Sequence, residues 1–140
     1  MKHLSKYIAV AALFLTLSGT LCKAQPAAQE EKEYADAVAK QVEQMIEHFK
    51  LDDYQAFKLD TLMQHYAPIY QAEIKRVKDS GAAQVASFQT VVDKWADFFD
   101  SEYQKIFTEE QWKRYLKSPA GREKKKRDKR MAAARGEEIK

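Results

Sequence analysis

Few residues in this chain have the types and spacing that covalent or metal chemistry needs. The histidines are His3, His48 and His65, and the one cysteine is Cys22. A metal site built on a helix wants imidazole or carboxylate partners about three or four residues apart. His65 has Thr61 and Ile69 four residues to either side, and His48 has only Asp52, which falls at an expected helix boundary. No glycine-rich phosphate loop is present, and the acids recur at spacings that place them on solvent faces, not opposite one another as a general acid and base would stand. The expectation is a protein that is not an enzyme and that uses no metal and no cofactor.

The chemistry that remains is hydrogen bonding at two related segments, Leu51-Asp52-Asp53-Tyr54-Gln55 and Phe107-Thr108-Glu109-Glu110-Gln111. Each reads as an apolar residue, a helix-capping residue, two free positions and a glutamine. In a capping box, the side chain of Asp52 or Thr108 accepts from a free N–H of the first turn, and Gln55 or Gln111 reaches back to the cap residue's own N–H. Phe107 and Trp112 are placed to close over the second box as a hydrophobic staple, where the first box has only Ala56.

The elements around these boxes are helical. Tyr34, Val38, Val42, Met45, Ile46 and Phe49 form one apolar stripe, after a short linker around Gln25 to Gln29. From Asp52, a helix of about 28 residues and some ~40 Å buries Leu59, Met63, Tyr66, Tyr70, Ile74 and Val77. Pro68 predicts a bend in it near Tyr66, and Asp79-Ser80-Gly81 predicts the turn. The next stripe is Val85, Phe88, Val91, Val92, Trp95, Phe98, Phe99, Tyr103 and Ile106, interrupted by Glu102, which is expected to reach water or pair with a lysine. A short helix follows from Thr108 to about Lys117. Ser118-Pro119 then opens a tract, Arg122 to Arg135, that is polar all round except for Met131 and the alanines. Such a tract is expected to be a solvated or frayed extension.

The two boxes, separated by one long helical hairpin, resemble the LTxxQ signature of the Spy/CpxP family of small periplasmic helical proteins. The resemblance spans residues 45–118 and is strongest from Gln104 to Tyr115; at the first box Asp52 stands where the family usually has Thr. The resemblance implies an all-α fold, a long bent hairpin with a preceding amphipathic helix and a short capping-box helix, assembled as a cradle by an antiparallel homodimer. The motif residues would be Leu51, Asp52, Gln55, Phe107, Thr108 and Gln111. It further implies an ATP-independent periplasmic chaperone that binds partly unfolded envelope proteins and suppresses their aggregation. The alternative, drawn from another branch, is an envelope-stress adaptor that binds one defined protein partner. Tyr54, Phe57, Met63, Tyr66 and Tyr70 are the candidate client or dimer contacts. Tyr54 and Phe57 project away from their own helix's stripe and need a separate partner.

Residues 1–24 read as a signal peptide: Lys2, His3 and Lys6, an apolar run from Tyr7 to Leu17, and small residues at Cys22 and Ala24 before Gln25. The run is about half the ~20 residues that span a bilayer. Cys22 invites a lipoprotein reading, against which bulky Leu21 stands. Cleavage after Ala24 removes the cysteine, so the helical domain, 25–118, and the basic tail, 119–140, must hold together by packing alone. The whole chain has a formal charge of +3. Its charge is divided: 25–118 carries −5, from 12 Lys/Arg and 17 Asp/Glu, and 119–140 carries +5, from nine and four. A basic tail on an acidic body predicts charge pairing within or between chains, or attraction to an anionic membrane surface. Nucleic acid is not an expected partner, because no aromatic residues interleave the tail's charges.

Overall fold

A computed structural model of the chain describes residues 27–80 and 85–136. The expected signal peptide 1–24, the turn expected at Gly81, the Val85 side chain and residues 137–140 lie outside the described residues. Within them the fold is all-α, with five helices: α1 (Ala27–Phe49), α2 (Asp53–Asp79), α3 (Val85–Ile106), α4 (Glu109–Lys117) and α5 (Pro119–Arg135). α1 therefore begins inside the stretch expected to be a linker, and α5 begins at Pro119, three residues before the expected start at Arg122. α2 continues through Pro68 to Asp79. No helix among the described residues is long and apolar enough to cross a membrane.

The corner between α1 and α2 is made by Lys50, whose φ of 56° is left-handed. With Lys50 in that conformation, the Leu51 N–H donates to the Ile46 carbonyl at 3.0 Å, closing the six-to-one bond of a Schellman ending. A side-chain-bearing residue costs about 1–2 kcal/mol in this region. The corner tolerates that cost because Leu51 and Phe49 are both buried beside it.

α2 carries the centre of the core. Leu59 and Met63 are fully buried, and Ala67 and Tyr70 extend the same face. Val42, Met45 and Phe49 of α1 pack on one side of it, and Phe99 and Tyr103 of α3 on the other. The Tyr34 hydroxyl donates to the Ala67 carbonyl at 3.0 Å, tying α1 to α2. Contacts between α2 and α3 run in opposite directions along the two helices: Met63 meets Tyr103, Tyr66 meets Phe98, and Tyr70 meets Trp95. The Trp95 indole N–H donates to Glu73 at 2.6 Å, giving the buried edge of the indole a partner. Glu102, the polar interruption in the α3 stripe, pairs with Lys105 one turn on.

The tail does not behave as its composition suggested. Ser118 caps α5 and Pro119 occupies its first position, while Gly136, at φ 72°, ends it in the left-handed conformation. Gly121 lies against α4 so closely that a β-carbon there would stand 2.2 Å from the Leu116 carbonyl oxygen. Only glycine fits that corner. The close approach lays α5 along α3, with Ala120, Lys124, Arg127 and Met131 recurring at helical spacing on the covered side. A helix judged polar all round thus has a packing face after all, because its buried member is an arginine.

Candidate functional site

The two capping boxes form as the sequence predicts. The Gln55 N–H donates to Asp52 Oδ1 at 2.8 Å, and the Asp52 N–H donates to Gln55 Oε1 at 3.1 Å. In the second box, the Gln111 N–H donates to Thr108 Oγ1 at 3.3 Å and the Thr108 N–H to Gln111 Oε1 at 2.8 Å. Around them, Phe107 packs on Phe49, with ring centroids 5.2 Å apart, and Trp112 stacks on Tyr115 at 5.0 Å.

What the sequence did not disclose is that the two boxes join. Gln55 Nε2 donates to Gln111 Oε1 at 2.7 Å, and Gln111 Nε2 donates back to Gln55 Oε1 at 3.1 Å. Each amide then spends its second donor on a carbonyl two residues before the other box's cap residue: Gln55 on Ile106 at 2.8 Å, and Gln111 on Lys50 at 3.1 Å. Both side chains are buried. Every donor and acceptor position of the two carboxamides is filled, so the pair is a closed polar unit inside an apolar corner. Leu51, Asp52, Gln55, Phe107, Thr108 and Gln111 are thus brought together in one joint. The left-handed Lys50 serves it by presenting its carbonyl to Gln111.

The candidate contact residues separate into two groups. Tyr54 and Phe57 are each 66% exposed, and Ile69 on the same helix is 46% exposed. At about 100° per residue, these three fall on the side of α2 opposite Leu59, Met63, Ala67 and Tyr70. Lys58 sits over the Tyr54 ring at 4.6 Å. Met63, by contrast, is a fully buried core residue, and as a surface contact it is corrected by the structure; Tyr70 is also a core residue and turns away from the outward face, but it lines a groove between α1 and α3. The same periodicity that drew attention to them is the periodicity that buries them. Tyr66 lies between the groups, half-buried, its ring 4.7 Å from Phe98.

A groove of about 680 Å³ opens between α1 on one side and α3 with α5 on the other. Its apolar lining includes Met45, Phe49, Tyr70, Trp95, Phe99 and Tyr103. Its charged edge is the contact between α3 and α5. Arg127, buried, donates to Asp100, which also accepts from the Tyr115 hydroxyl. One turn along, Arg130 holds Asp93 with two bonds, Nε at 3.0 Å and Nη2 at 2.8 Å. The Arg127 Nε is buried with no hydrogen-bond partner.

The two acids respond to this setting in opposite ways. Burial raises the Asp100 carboxyl above the usual range, outweighing the Tyr115 hydroxyl and the Arg127 charge that favour its ionised form. Burial also acts on Asp93, but there the bonds from Arg130 and Gln89 and the fields of both arginines prevail, and the carboxyl is lowered. Burial, then the neighbouring Asp100, pushes Tyr115 well above the ordinary phenol range, so its hydroxyl is a permanent donor.

Among the described residues, no three His, Cys, Asp or Glu side chains converge as metal ligands would. The charge division of the sequence could have signalled that the tail folds back; the identity of the acids it meets could not be read from spacing. No family model matches the chain, and no curated protein or solved structure is found that is similar to it.

Proposed function

We propose that the protein is an ATP-independent chaperone that holds partly unfolded proteins and keeps them from aggregating. The observation that carries the reading is the outward face of α2, where Tyr54, Phe57 and Ile69 are exposed together on a helix whose other side supplies the core. Aromatic side chains exposed this far adapt to many apolar partners, and the charge around them keeps a complex dispersed. A surface of this kind acts by mass action: it lowers the free concentration of sticky chains and so slows their encounter.

The joined capping boxes support the link to LTxxQ-type proteins, since two such boxes in one corner give the sequence signature a physical purpose. By that resemblance, α2 and α3 form the hairpin of a cradle, completed by an antiparallel second copy, and the site of action is the periplasm after removal of residues 1–24. Tyr54 and Phe57 are the first candidates for either client or dimer contact.

The test is an aggregation-suppression assay on several unrelated clients without nucleotide. Protection at near-stoichiometric ratios, reduced in Tyr54→Ser with Phe57→Ser, is the expected result. Failure to protect any client, together with saturable binding of one envelope protein, would instead establish the adaptor.

A further inference from the structure

The groove between α1 and α3 has an occupant at one edge already, and that occupant shows what the groove accepts. Of its charged lining residues outside α5, Glu47, Asp93 and Asp100 are acids of α1 and α3, and the bases are His48 of α1 and Lys50 at the α1–α2 corner. The bases that face Asp93 and Asp100 come from α5, through Arg130 and Arg127. Without those arginines, an aromatic channel would be edged by uncompensated carboxylates. Arg127 is also an imperfect tenant, since its buried Nε donates to nothing. Arg130 is still 45% exposed while its partner Asp93 is 9% exposed, so the acid is built into the wall and the base lies on top of it.

We propose that this groove binds basic, apolar segments of non-native proteins, with α5 as a built-in strap that covers the acidic wall until such a segment displaces it. The proposal rests on the chaperone reading for its biological setting and gives that reading a substrate class. Aromatic rings take the apolar side chains, and Asp93 and Asp100 take lysine or arginine in place of Arg130 and Arg127. Exchange of one ion pair for another leaves the net desolvation nearly unchanged, so a strap of this kind can be displaced without exposing buried charge.

The experiment uses the protein with two labelled probes, a short amphipathic peptide of leucine, alanine and lysine, and its counterpart with glutamate for every lysine, read by fluorescence anisotropy. The lysine peptide is expected to bind at least about tenfold more tightly than the glutamate peptide. Arg130→Ala, which uncovers Asp93, should tighten the lysine peptide about two- to five-fold, and Asp93→Asn should weaken it by a similar factor. Opposite signs from the two ends of one ion pair are what a merely structural bridge would not give. The segment 119–135, supplied as a free peptide to the unaltered protein, should compete with the lysine peptide, which keeps the test independent of any variant's folding. Equal binding of both probes, absence of competition, or weakening by both variants with helicity intact would each overturn the proposal. Aggregation suppression measured on the same samples separates the two readings. Peptide binding as expected without protection overturns the chaperone and upholds the groove, while protection with charge-blind peptide binding does the reverse.

Discussion

The molecule fastens its C-terminal helices with two buried polar joints that solve the same problem by different means. The Gln55–Gln111 joint uses neutral amides with every donor and acceptor filled. The α3–α5 joint uses ions, with Asp100 and Arg127 buried together and one arginine N–H left bare. A filled neutral unit loses its partners all at once and has nothing to titrate, so it behaves as a fixed fastening. A buried ion pair gains Coulomb energy but gives up hydration of similar size, so its net hold is small and responds to pH and competing charge. The first joint holds the body in shape, and the second can be opened without disturbing it.

Removing half of the neutral joint is the severest test of that contrast. Gln111→Leu leaves one amide N–H of Gln55, the Lys50 carbonyl and the Thr108 N–H without partners, and is expected to cost about 3 kcal/mol in urea denaturation, since each buried unpaired group costs about 1–3 kcal/mol. In a double-mutant cycle with Gln55→Leu, the pair should cost clearly less than the sum of the singles. Additive losses would show that the two boxes act separately.

Next in size is the corner that lays α5 down. Gly121→Ala drives a β-carbon into the Leu116 carbonyl and should weaken α5 docking by about 2 kcal/mol, as overpacking typically does. Amide exchange should quicken in α5 and stay unchanged in α1 and α2. Exchange that quickens everywhere would mean that the two joints are one cooperative unit.

Titration should separate the joints without mutation. Asp93 has a lowered carboxyl, so its contribution is present above the unfolded value, about 3.9, and is lost as pH falls through the folded one. Asp100 has a raised carboxyl, so its contribution is full below the unfolded value and is lost as pH rises through the folded one. Protection of α5 should therefore fall at the acid end through Asp93, and Asp93→Asn should abolish that fall. Protection around the glutamines should stay flat over the same range.

The smallest effects concern the backbone and the outward face. Lys50→Gly relieves a left-handed lysine and should stabilise the protein by about 0.5–1 kcal/mol, with the carbonyl still aimed at Gln111. Tyr54→Ser with Phe57→Ser should change stability by less than about 0.5 kcal/mol per site, because neither ring is in the core.

Helices announce themselves through local chemistry, and this chain is a case in point. Asp52, Thr108, Ser118 and the three-and-four spacing of the stripes lie within a turn or two of the structure they determine, so element positions were legible to within a few residues. The pairing of Gln55 with Gln111 was not, because it spans 56 positions and each glutamine already had a sufficient local explanation in its own box. Arg127 was illegible for another reason: composition marks an arginine as solvated, and only the geometry of the Gly121 corner presses this one onto Asp100. Met63 was legible through its apolar periodicity, which places it on the buried stripe of α2; only its reading as a surface contact is overturned.

The glutamine joint is also self-complementary, each side offering the other the same donors and acceptors in the same order. One side belongs to residues 27–80 and the other to 85–136, so a cut between them would leave two fragments with matching ends. Such fragments are expected to reassemble when mixed, which would make the protein a natural split reporter whose reconstitution reads out the joint itself.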